Sequence, residues 1–177
     1  MPSLTIQIVS VAGQGQVAKL LRVLEPRTIL SVIGARFLSH VDRQFRTRGE
    51  GAWAPLSPLT LMLRKHGGDA PLQDTGHYKQ SFVQETDDQT YVEVGTNMRV
   101  NGVSLGMIHE FGTGPYTIRV RRAKVLAAQT RAGPWLFFGK EVQHPGIPAR
   151  PVLPNQQTAD RLVVETVDAM FEQAVKE

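Results

Sequence analysis

The sequence predicts an α+β fold: an antiparallel sheet of about four to six strands, packed by N-terminal and C-terminal helices, with a projecting basic hairpin and a proline-rich arm. Three observations lead there. Apolar residues recur at helical spacing toward both ends, over Thr28–Arg46 and Thr158–Lys176. Between them lie short runs of alternating polarity bounded by turn residues. The βαβ alternation that would build a parallel sheet is missing. With 177 residues, 41% hydrophobic and 20% charged, the chain suits one domain over residues 1–177 with a sizeable core. Within it, residues 111–146 read as a hairpin insertion and residues 143–154 as the arm.

Taken in order, Leu4, Ile6 and Ile8 alternate with Thr5 and Gln7, the pattern of a half-buried first strand. Val17, Leu20, Leu21 and Leu24 suggest a short amphipathic helix ending before Pro26. In Thr28–Arg46 the stripe Leu30, Ile33, Phe37, Val41, Phe45 is spaced 3, 4, 4 and 4, with Arg36, Asp42 and Arg43 on the other face. A loop through Gly49, Gly51 and Pro55 follows. Ser57 with Pro58 reads as N-cap and first-turn proline of a short helix to about His66. Gly67-Gly68-Asp69-Ala70-Pro71 breaks the chain, and Asp74-Thr75-Gly76 opens another short helix, Tyr78 to Phe82.

Phe82–Thr86 and Thr90–Gly95 read as strands joined by the polar turn Asp87-Asp88-Gln89. A short helix falls within Asn101–Phe111. In Thr117–Arg121, Ile118 and Val120 oppose Arg119 and Arg121, giving a strand with one basic face. Lys124–Ala128 and Trp135–Val142 pair around a turn at Arg131–Pro134. Because Trp135, Leu136, Phe137 and Phe138 are consecutive, both faces of that strand should be covered, by the domain core on one side and a neighbouring subunit on the other. Pro145, Pro148, Pro151 and Pro154 fall every third residue, the repeat of a polyproline II arm; it reads as a stiff connector or as a docking arm. The last helix carries Val163, Val167, Met170 and Ala174 on one stripe.

Composition narrows the function classes. No apolar run reaches the roughly 18 residues of a membrane helix, so no membrane contact is expected. The N-terminus lacks a signal peptide's basic and apolar regions. The absence of cysteine removes disulfides and thiolate metal sites and fits intracellular synthesis. The net charge of +4 is local: Arg119, Arg121, Arg122, Lys124 and Arg131 lie between Phe111 and Pro134 with no acid among them, and without these five the chain holds 15 bases against 16 acids. Such a segment can face phosphate, an acidic protein or water.

Three enzyme-like fragments fail on context. Gly102-Val103-Ser104-Leu105-Gly106 fits the nucleophile elbow G-x-S-x-G, but polar, turn-like residues precede it where a buried strand is needed, and no acid separates Ser104 from His109. His109-Glu110 begins a zinc-protease helix, yet the second histidine is replaced by Thr113. Gly13-Gln14-Gly15-Gln16-Val17-Ala18 matches a dinucleotide fingerprint, but a long helix follows instead of a second strand ending in an acid. No catalytic residue, cofactor or metal is expected.

The order of the remaining pieces is more informative. A long helix ending in Phe45 is followed by Gly49, Gly51, "WAPLSPLT", Lys65, "PLQDTGHYKQSF", "VEVGTN", "IHEFG" and "IPARPVL" before the terminal helix. This series, from Val17 to the C-terminus, resembles the tail completion (virion morphogenesis) proteins of Mu-like and P2-like tailed bacteriophages. It departs from them at Leu105-Gly106, where a tyrosine-alanine pair is expected. The resemblance implies a non-enzymatic tail terminator, assembled in the host cytoplasm into the virion as a hexameric homo-oligomeric ring at the head-proximal end of the tail. Its implied partners are the tail tube protein and the head-tail connector or neck proteins, with non-specific contact to DNA in the lumen. A neck or head-closure component and a nucleic-acid-binding module using residues 119–131 are the alternatives.

The resemblance also assigns residues. Trp53 would pin the loop after the long helix, Phe111 would anchor the turn after His109, and Gly112 would form a left-handed helix cap. Arg150 would pair with a carboxylate where the arm leaves the domain. Trp135, Phe137, Pro148, Arg150 and Pro151 are candidates for the subunit interface. Arg119, Arg121, Arg122, Lys124 and Arg131 would face a partner or the lumen.

Overall fold

The computed structural model describes residues 25–66 and 68–176. The expected first strand, the Val17–Leu24 helix and the glycine fingerprint at 13–18 lie outside the described residues. Helix α1 runs Pro26–Thr47, its first position filled by a proline that has no N–H to leave unsatisfied. Its buried stripe is Ile33, Gly34, His40, Val41 and Phe45. The helix stops where Arg48 turns left-handed, at φ 54°. Gln73 caps the exposed end, donating Nε2 to the Phe45 carbonyl at 2.8 Å.

Helix α2, Pro58–Leu63, is N-capped as expected: Ser57 Oγ accepts from the Thr60 N–H. The glycine-rich connection that follows is gathered by Arg64, which donates to Asp74 Oδ1 at 3.0 Å and to the carbonyls of Gly68 and Ala70. Helix α3 is a single turn, His77–Gln80. Strands β1 (Val83–Thr86) and β2 (Val92–Gly95) form an antiparallel hairpin, with Val83 opposite Gly95 and Thr86 opposite Val92. Its turn is tied by Asp87, whose carboxylate accepts from the N–H groups of Gln89, Thr90 and Tyr91 and from the Thr90 hydroxyl. Those donors hold its pKa far below the usual carboxylate value.

Strands β3 (Arg99–Val100) and β4 (Val103–Ser104) lead into helix α4, Leu105–Phe111. Strands β5 (Tyr116–Arg119), β6 (Leu126–Gln129), β7 (Trp135–Gly139) and β8 (Glu141–His144) follow, and helix α5 (Gln156–Lys176) closes the chain. The expected sheet of four to six strands is corrected. Among the described residues the strands form four separate two-stranded pairs. The β1–β2 pair packs on α1, as does α5, and helix α4 intervenes along the chain between the β3–β4 pair and the β5–β8 pair.

The last four strands are one interrupted hairpin: β5 pairs with β8 and, nested inside, β6 pairs with β7. Val120 continues the ladder by donating to the Lys140 carbonyl at 3.1 Å. Residues 121–125 then loop out of one strand while its partner advances directly. The hairpin does not project freely, because in its turn the Arg131 N–H donates to the Met62 carbonyl on α2 at 2.8 Å.

The core lies between α1, α3 and the chain after β8: Val41, Phe45, Trp53, Tyr78, Phe82 and Val152. Phe45 is its centre, 0% exposed, with Trp53, Tyr78 and Phe82 each presenting an edge at 5.8 to 6.0 Å.

Candidate functional site

The motifs that carry the resemblance converge on this core. Trp53 stands edge-on to Phe45 and donates Nε1–H to the Pro151 carbonyl at 3.1 Å. Gly49, at φ 67°, makes room for it, since a Cβ there would sit 2.2 Å from the indole. Arg150 is 5% exposed. Its guanidinium donates to the carbonyls of Ala54 and Pro55 at 3.0 and 3.2 Å, and its backbone N–H to the His109 carbonyl at 2.6 Å. The expected carboxylate partner is therefore corrected: two backbone carbonyls receive the fork, and burial lowers the guanidinium pKa. As an interface candidate Arg150 is turned into its own chain.

The proline-rich arm is likewise a strap across its own domain. Val152 is buried, and its N–H donates to Glu110 Oε2 at 3.0 Å. Thr113 and Ile147 are joined by two hydrogen bonds, N–H to carbonyl at 2.8 Å and N–H to hydroxyl at 2.9 Å. Only the outer surface stays open, where Pro148 and Pro151 are exposed.

Helix α4 explains the enzyme-like spelling. Asn101 and Gly102, at φ 52° and 82°, form a tight turn between β3 and β4. The Asn-Gly pair between two valines is the signal that would have found this hairpin. Ser104 then caps α4, its Oγ accepting from the Met107 N–H at 3.4 Å, so the elbow serine is a helix N-cap. The expected result for Ser104→Ala is a loss of about 1 kcal/mol in urea unfolding, the usual worth of such a cap. Esterase turnover by the wild type that vanishes in this variant would contradict the assignment.

On a seven-residue helix, Leu105, Ile108 and His109 share the inner face at helical spacing. The His109 ring meets Tyr78 edge-on at 5.0 Å. Burial and then the Arg150 charge lower its pKa. Phe111 does not anchor: it is 72% exposed, on the outer face with Met107. His109 and Glu110 hold the turn instead. Gly112 does need a positive φ, but at φ 71° and ψ −172° it lies in a region essentially reserved for glycine rather than in a left-handed helical cap.

The cations divide. Arg119 is paired across the hairpin, Nε to Glu141 Oε2 at 3.1 Å, so it is not a free member of the basic face. Arg121, Arg122 and Lys124 sit in the looped-out excursion and Arg131 in the turn. These four have no carboxylate partner among the described residues. On β7, Leu136 and Phe138 turn inward and are half-buried. Trp135 and Phe137 point outward, 56% and 69% exposed, beside Gln129 and Ala127 of the paired strand. The chain itself thus partly covers one face, and the outward face is the one expected to meet a neighbouring subunit.

Among the described residues no group of His, Asp and Glu side chains could hold a metal ion, and no helix is long and apolar enough to cross a membrane. What the fold presents is a scaffold whose motif residues are spent on packing and whose outer surfaces carry aromatic rings and unpaired cations. The chain belongs to the phage virion morphogenesis family, whose model matches residues 13–172. It is thus a phage protein associated with the virion. No curated protein and no solved structure matches the chain significantly.

Proposed function

We propose that this chain is a non-enzymatic tail terminator: a ring, six-fold like a hexameric tail tube, at the head-proximal end of the phage tail. It stops tube polymerisation and offers the docking surface for the head connector or neck proteins. One observation carries the reading beyond family membership. Trp135, Phe137, Met107 and Phe111 are all exposed, two on helix α4 and two on the hairpin, whose turn is tied to α2 through the Arg131 N–H, an arrangement suited to covering by other subunits. A closed ring uses heterologous contacts, so each copy must display two different surfaces.

The test is a phage lacking this chain. The expected outcome is tails of abnormal length that fail to join filled heads, with normal tails restored by supplying the wild type. Tails of normal length that merely remain unjoined would overturn termination in favour of a neck component. A nucleic-acid role draws on the unpaired cations Arg121, Arg122, Lys124 and Arg131. It requires tight DNA binding whose affinity falls log-linearly with salt, reporting several released ions.

A further inference from the structure

Helix α5 has a second face. Its inner stripe lies against α1, but Val164, Phe171 and Val175 are exposed. With Asp160 and Asp168 they are spaced 4, 4, 3 and 4 along the helix, which confines all five to a strip of about 80° at roughly 100° per residue. Asp160 accepts from Gln156 at 2.8 Å, while Asp168 meets no cation among the described residues. The strip is apolar along its centre and acidic.

The hairpin offers the complement. Arg121, Arg122 and Lys124 immediately precede Leu126, which pairs with Gly139, two residues from the exposed Phe137. Among the described residues these cations meet no carboxylate, and Asp168 meets no cation. We infer that, within the ring of the proposed terminator on which this inference rests, the Trp135–Phe137 face of one copy docks on the Val164–Phe171–Val175 strip of the next. Arg121, Arg122 and Lys124 lie against Asp160 and Asp168. The apolar centre supplies affinity and the opposed charges fix register and exclude wrong pairings. The two surfaces differ, so the contact is head-to-tail and can close.

Charge reversal tests it on the full chain. One variant carries Arg121→Asp, Arg122→Asp and Lys124→Asp, and the other carries Asp160→Lys and Asp168→Lys. Oligomeric state is read by light scattering, and folding by the urea midpoint. Each variant alone is expected to associate at least about 100-fold more weakly than the wild type, since like charges face each other at every contact. Mixed in equal amounts, the variants are expected to form alternating rings, as each reversed hairpin meets a reversed helix and each native hairpin a native helix. Should a reversal disturb folding, Phe137→Ser and Phe171→Ser, each at an exposed ring, are each expected to lower ring yield about 10-fold. Variants that assemble like the wild type, or a mixture that stays dissociated, would overturn the contact while leaving the terminator reading standing. A wild type that forms no ring would remove both.

Discussion

Trp53→Ala is expected to lose about 3–5 kcal/mol of stability, the range for truncating a buried tryptophan. The reason is that Trp53 joins three parts of the chain. Its ring packs edge-on against Phe45 of α1, and its Nε1–H holds the Pro151 carbonyl of the strap. It also fills the space that Gly49 leaves open. Truncation opens a cavity beside the fully buried Phe45 and leaves a carbonyl without its donor. Trp53→Phe retains most of the ring contact and loses the hydrogen bond, so its cost should be clearly smaller. Urea unfolding of both variants at one fixed protein concentration measures this. Equal losses for the two would show that the hydrogen bond, and not the packing, dominates. A loss under about 1 kcal/mol for alanine would show that the strap and α1 do not depend on this residue.

Gly112→Ala is the second large effect, expected to cost more than about 3 kcal/mol through combined backbone strain and steric overlap. At φ 71° and ψ −172° a residue with a Cβ is strained before any neighbour is considered. The neighbours are rigid as well: that Cβ would stand 2.7 Å from the Ile147 carbonyl oxygen and 2.9 Å from the Ala149 nitrogen, both backbone atoms. To relieve the overlap, the strap must lift away from α4, taking with it the hydrogen bonds of Arg150 and Val152 to His109 and Glu110. Gly114 is the internal control. It lies two residues away and a Cβ there would meet nothing within 4 Å, so Gly114→Ala should change stability by less than about 0.5 kcal/mol. The contrast between the two alanines is the measurement. Equal behaviour would mean that the strap is not seated against Gly112 in solution.

The core ties family motif to fold in a specific way. Phe45, Trp53, Tyr78, His109, Arg150 and Val152 belong to five separated stretches of sequence, yet they form one packed and hydrogen-bonded unit. Residues that look like active-site components are engaged in structure: Ser104 caps a helix, His109 packs on Tyr78, and Glu110 receives the Val152 N–H. A scaffold of this kind leaves its chemistry to the surface, where the hairpin and the outer strip of α5 offer opposite charge around apolar centres.

What was legible in the sequence was what local physics decides. Apolar spacing placed α1 and α5 to within two residues, since a 3.6-residue period survives any tertiary context. Ser57 with Pro58, and the polar turn at Asp87, marked a helix start and a hairpin through short-range hydrogen bonds. The pairing of β6 with β7 followed from the turn before Trp135. The clustering of cations between Phe111 and Pro134 was visible by counting. Only the tertiary structure decided what depends on partners far along the chain. Arg119 met Glu141 across a ladder, and Arg150 found carbonyls some 95 residues earlier instead of an acid. Phe111 was turned outward because Ile108 and His109 took the inner face of a short helix. The β1–β2 hairpin was seated on α1, a neighbour some forty to sixty residues earlier in the chain. Periodicity fixes which face of an element is apolar, but which neighbour meets that face is set by the packing of the whole chain.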